Sequence, residues 1–300
     1  MKNWLASSLL LFFGVLQGIE YRPWYPDALQ LQGELNYRFQ SYHSVDAPSS
    51  KRGESYSHYQ KKKNHYSSDD HFVDSSLMIA FEPFSLQIES EFADTRKRNF
   101  DWDHVSLAGR YLWLNDNVGD PVSLSTGVSL RRAWREAVND ISSFHHGRNE
   151  AFFHVALGKQ KIEGDTWLSR WWGVLGIGTA DRWTPWIAAN AAYEWNECDS
   201  HRLRLYVNSL WGVGNKKLRV HDFGGYGPIA HRSIDIGLRY SYEFDYLGLI
   251  SIDYARRVYA HNFPDDVNTL TVSYIYPFGP EGIYYILKAY SLMTGKMNPW

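Results

Sequence analysis

Hydrophobic and polar residues alternate along most of this chain with a period of two. Leu29, Leu31, Gly33, Leu35, Tyr37 and Phe39 share one parity, and Gln30, Gln32, Glu34, Asn36 and Arg38 take the other. Successive side chains of a strand point to opposite faces, so this segment reads as a strand with one apolar and one strongly polar face. The same alternation sets Phe84, Leu86, Ile88 and Phe92 against Ser85, Gln87, Glu89 and Glu91. It recurs in Val122–Arg131, in Arg202–Trp211 and in Ile234–Phe244. Taken together, the pattern predicts twelve strands, near 29–41, 72–81, 84–94, 102–113, 122–131, 150–159, 166–179, 186–196, 201–212, 233–244, 247–259 and 269–278.

Three features choose the environment of these strands. Aromatic residues gather near strand ends on the apolar faces, among them Trp102, Tyr111, Trp113, Trp186, Tyr193, Trp195, Trp211, Tyr274, Tyr276 and Phe278. Such girdles belong at membrane interfaces, where amphipathic rings sit at headgroup level. The opposite faces carry more charge than a packed soluble core tolerates. Connections also alternate between short turns, such as Glu82-Pro83, and longer polar stretches, such as 42–71, 132–149 and 213–232. An all-β fold follows: an antiparallel transmembrane β-barrel of about twelve strands, with short turns at one end and long loops at the other.

Composition narrows the picture further. The 300 residues carry 31 Lys+Arg against 33 Asp+Glu, a net charge of −2, which argues against nucleic acid as a partner. One cysteine, Cys198, allows no internal disulfide and no cysteine-based zinc cluster. Lys2 followed by the apolar run Leu5–Leu16 and the small Gly18 reads as a secretory leader over 1–18. The expected organisation is a leader (1–18), a barrel (19–278) and a C-terminal periplasmic tail or extra strand (279–300).

These patterns resemble the β-barrel proteins of Gram-negative outer membranes. Leu270–Phe278, alternating apolar residues that end in Phe, is similar to the terminal strand that the barrel-assembly machinery recognises. The resemblance implies an outer-membrane location, contact with membrane lipids and lipopolysaccharide, and a porin-like passage for small polar solutes.

In a barrel, the polar parity lines the lumen. It comprises Glu34, Arg38, Glu89, Glu91, Arg110, Arg131, His154, Glu194, Arg202, Arg204, Asp235, Arg239, Glu243, Asp253 and Arg257. Mixed charges of this kind tune what a pore admits. An enzymatic alternative rests on His104 and Ser106, which share a face two residues apart. Their spacing resembles that of outer-membrane phospholipase A and some lipid A deacylases, which implies Ser106 as nucleophile and His104 as base. The residue after Ser106 is Leu107, where those enzymes commonly carry Asn, and the parity points both side chains inward. A surface adhesin or structural barrel acting through 43–71 and 213–232 is the third reading. Basic clusters at Lys51-Arg52, Lys61-Lys62-Lys63, Arg96-Lys97-Arg98 and Arg131-Arg132 are expected near the outer rim, where they could meet lipopolysaccharide phosphates. The histidines show no metal-ligand spacing, and no cofactor motif emerges.

Overall fold

The computed structural model describes residues 19–26, 31–47, 63–164, 166–181, 184–244 and 248–278. The expected leader (1–18), the expected tail or extra strand (279–300), Lys51, Arg52, Lys61 and Lys62 lie outside them. Twelve strands form one closed barrel. They are β1 (Leu31–Tyr42), β2 (Ser68–Phe81), β3 (Phe84–Asp94), β4 (Asp101–Leu114), β5 (Ser123–Ala133) and β6 (Asn149–Glu163), followed by β7 (Thr166–Ala180), β8 (Pro185–Glu197), β9 (His201–Gly212), β10 (Arg232–Phe244), β11 (Gly248–His261) and β12 (Asn268–Phe278). Each pairs antiparallel with its neighbours in sequence. Closure comes from β1 against β12, in the register Leu31↔Phe278 through Ser41↔Asn268. Closing the sheet leaves the barrel wall no free edge, so strand N–H and C=O groups find partners within it.

Strand lengths run from 11 to 15 residues, enough to cross a hydrocarbon core at a tilt. Leu35, Leu86, Ile88, Leu107, Leu175, Ile236 and Ile252 project outward and are exposed. Rings cluster at both ends of this apolar band. Phe84 meets Tyr111 at 4.9 Å, Tyr193 meets Trp195 at 4.4 Å and Tyr276 meets Phe278 at 4.8 Å near the short turns. At the loop end Phe92 meets Trp102 at 4.1 Å. A solvent-exposed apolar belt bounded by aromatics has the physical form of a lipid-facing surface.

The largest apolar core lies at the loop end. Tyr42, Val45, Ile141, Leu218, Phe223, Tyr226, Ile229, Phe263 and Val267 pack into one buried cluster. A small antiparallel sheet of Ser44–Asp46, Lys63–Asn64 and Pro264–Asp265 ties the loops above it. The Tyr226 hydroxyl donates to the Ile141 carbonyl at 2.9 Å, and the Tyr42 and Ser142 hydroxyls meet at 2.8 Å. The described residues of the long loops therefore form a packed cap.

Three details depart from simple alternation. β2 begins at Ser68, earlier than the alternation suggested, and Ser68, Asp70 and Phe72 face inward. A bulge between β3 and β4 at Glu91/Phe92 turns Asp103 as well as His104 toward the interior. Trp186, expected on the lipid face, points inward and is buried. Its ring lies over Gly178, where an added Cβ would stand 2.1 Å from Cε2 of the indole.

Candidate functional site: the barrel interior and the segment within it

Residues 19–26 form no strand and run inside the barrel. Four tethers hold them at successive depths. Trp24 Nε1 donates to Oδ1 of Asp116, at the short-turn end, at 2.8 Å. Tyr21 and Ser129 share a hydroxyl contact of 2.9 Å, and the Tyr21 ring packs on His154 at 4.0 Å. The Glu20 carboxylate bonds Arg204 and lies 3.6 Å from Arg239. The Ile19 backbone N–H donates to Oε2 of Glu89, midway along β3, at 3.1 Å. Arg110 adds contacts to the carbonyls of Glu20 and Arg22. Enclosure works against ionisation of Glu20, but Arg204 and Arg239 outweigh it and hold the carboxyl well below the usual range.

Around this segment the wall is laced with ion pairs. On one side Glu194 sits between Arg170 (2.5 Å) and Arg204 (3.1 Å). Arg239 reaches Asp253 at 2.8 Å, and Tyr206 donates to the same carboxylate at 2.5 Å. Arg257 grips Asp235 at 2.7 and 3.0 Å, and Arg202 pairs with Glu243. Toward the loops, Arg38 pairs with Glu91 at 2.9 Å, and Arg98 bridges Asp103 (2.5 Å) and Asp140 (3.3 Å). The charges of these ion pairs are tolerated in the interior because they are paired and hydrogen-bonded.

All fifteen residues expected to line the lumen fall on the interior parity. Glu34, Arg38, Arg204, Asp235, Arg239, Asp253 and Arg257 border a cavity of about 460 Å³ beside the N-terminal segment. Glu20, Tyr21, Trp172, Tyr206, Asn190 and Asn208 complete much of its surface. Glu89, Glu91, Arg110, Arg131, His154 and Glu194 are engaged in the packing around the segment or in the network above it.

His104 and Ser106 point inward and do not hydrogen-bond each other. His104 Nε2 lies 2.7 Å from Glu89, its Nδ1 lies 3.2 Å from Asp103, and Ser106 accepts from Arg131 Nε at 3.0 Å. A serine nucleophile needs a base within reach, and here the base is committed to two carboxylates. Asp103, His104 and His145 do form a buried group of metal-ligand type. His145 Nε2 lies 2.5 Å from Asp103, so these groups already satisfy one another.

The basic rim also differs from expectation. Arg98 is buried in its carboxylate bridge, whereas Arg96, Lys97 and Arg132 remain exposed. Of the adjacent Trp171 and Trp172 on β7, Trp171 faces outward, and Trp172 faces inward against Trp24 at 5.9 Å. Sequence reasoning missed Glu20, Tyr21 and Trp24 altogether. The signal present was a short stretch rich in Tyr, Trp and Pro before the first alternating strand.

Two solved structures share this architecture. An outer membrane channel from Pseudomonas putida F1 matches 88% of this chain and 100% of its own, at 12% identity and a TM-score of 0.59. The NanC porin matches 81% of this chain and 99% of its own, at 8% identity and a TM-score of 0.51. No family model and no curated protein matches the chain. At these identities the likeness is one of fold: this is the closed-barrel fold of outer-membrane porins and channels.

Proposed function

We propose that this protein is an outer-membrane channel for small polar solutes, narrowed from within by its own N-terminal segment. The observation that carries the reading is the cavity of about 460 Å³ between that segment and the charged wall of β8–β11. Paired carboxylates and guanidinium groups such as Arg239–Asp253 and Arg257–Asp235 line this space, and charged side chains lining a pore tune which solutes it admits. The exposed apolar belt and its aromatic rims support residence in a lipid bilayer. Export through a leader over 1–18, insertion by the barrel-assembly machinery and contact with lipopolysaccharide belong to the same proposal. The fold by itself hosts many roles. The paired barrel interior favours passage over lipid hydrolysis, because His104 and Ser106 face neither lipid nor each other.

Single-channel recording in planar bilayers tests this. Wild-type barrel gives small unitary steps, and Arg204→Gln, which frees Glu20 from one of its two cations, gives larger ones with selectivity moved toward cations. Silence from both proteins, each shown to be folded by heat-modifiable mobility, overturns the proposal.

A further inference from the structure

Ile19 is the innermost described residue of the N-terminal segment. The chain climbs from Trp24, at the short-turn end beside Asp116, to Ile19 halfway up the interior. There its backbone nitrogen meets Glu89, a carboxylate only 1% exposed. One oxygen of Glu89 faces His104 at 2.7 Å, with Arg131 at 3.7 Å, and among the described residues the other bonds the Ile19 nitrogen alone. A backbone amide offers that oxygen a single neutral donor, whereas an α-ammonium offers three donors and a full charge. Charge-assisted bonds are roughly twice as strong as neutral ones. Immediately before Ile19 stand a basic start, a short apolar run and the small Gly18, the arrangement at which exported chains are cut.

From this juxtaposition we propose that Ile19 is the first residue of the mature protein and that its α-ammonium forms a buried ion pair with Glu89, latching residues 19–26 inside the barrel. A leader peptidase of the export pathway supplies the cut. Water adds across the Gly18–Ile19 bond, Gly18 keeps the hydroxyl oxygen as a carboxylate, and the released amine takes a proton. The other tethers, at Glu20, Tyr21 and Trp24, set the register, so the new terminus cannot move by one residue without breaking them. The inference shares the export step with the channel proposal but needs no ion passage.

The test exports the full chain in a bacterial host and extracts folded barrel from the outer membrane. Intact mass is expected to match a chain beginning at Ile19. The purified barrel is then treated with an amine-reactive acetyl ester near neutral pH, folded and after boiling in detergent. Ile19 is expected to label about tenfold more slowly when folded, the change produced by a one-unit rise in amine pKa. In Glu89→Gln it labels at nearly the unfolded rate. A second chain, with one alanine inserted between Gly18 and Ile19, covers the case in which Glu89→Gln does not fold; its displaced terminus labels quickly in the folded barrel. A mature terminus elsewhere, equal labelling of folded and unfolded wild type, or slow labelling in folded Glu89→Gln or in the inserted chain overturns the proposal. Channel current alongside any of those results leaves the channel reading standing, and a silent bilayer with a protected Ile19 overturns only that reading.

Discussion

Nη2 of Arg98 lies 2.5 Å from Oδ2 of Asp103, and Nε of the same guanidinium lies 3.3 Å from Oδ2 of Asp140. One side chain thus ties the connection after β3, the bulge in β4 and the 134–148 loop. Removing one partner of a buried ion pair typically costs about 3–5 kcal/mol, because the remaining charge stays desolvated. Arg98→Ala is expected to lower barrel stability by about that amount in urea titration. Arg98→Lys should recover only part, since an ammonium cannot reproduce the planar fork.

The loop cap should loosen in acid. His146 Nε2 lies 3.2 Å from His231 Nε2, and the His146 ring stacks on Trp186 at 3.8 Å. Burial pushes both imidazoles down, His231 to about 4, while the guanidinium groups of Arg131, toward His146, and Arg257, toward His231, oppose a further charge. Glu150, 3.8 Å from His146 Nδ1, is the nearby carboxylate. A histidine depressed in the folded state binds protons first when unfolded, so stability falls as pH drops from about 6.5 toward 4. For His231 the loss is of order 3 kcal/mol across that window. Protease susceptibility of the 213–231 loop should rise over this range, and His231→Gln should flatten the dependence. Equal cleavage at pH 7 and pH 4.5 would remove the idea.

Gly178 gives Trp186 its place inside the barrel. With a Cβ 2.1 Å from the indole, Gly178→Ala forces the ring to move. Overpacking of this kind costs about 1–3 kcal/mol. A lowered thermal midpoint, together with a blue- or red-shifted tryptophan emission, is the expected outcome. Gly109, which has no atom within 4 Å of such a Cβ, should accept Ala with little change.

Glu194 sits between the guanidinium groups of Arg170 and Arg204 and offsets one of their two charges. Glu194→Gln leaves both cations facing the interior without it. Stability should fall by about 3 kcal/mol, and reversal potentials measured across a salt gradient should move toward anion preference. A shift toward cations would contradict the charge arrangement described above.

Much of the wall was legible from parity alone. Leu35/Asn36, Ile88/Glu89 and Leu238/Arg239 each announce an outer and an inner face, and the strands lie within a few residues of their expected places. Parity fails wherever the pleat is interrupted. Asp103 reads as outward until the bulge at Glu91/Phe92 turns it in. Trp186 reads as an interface anchor because nothing local reveals that Gly178, across the strand pair, leaves room for it. Arg98 reads as part of an exposed basic run because its partners, Asp103 and Asp140, come from two other elements.

What the chain determined by itself was local: a two-residue period fixes strands and their faces, because side-chain direction along a strand depends only on counting. Closure of the barrel, the packed loop cap and the course of residues 19–26 through the interior depend on contacts between distant segments. Glu20 with Arg204, and Ile19 with Glu89, are such pairs. Their positions carry no periodic signal, and only the tertiary structure decides that a charged interior is partly filled by residues 19–26.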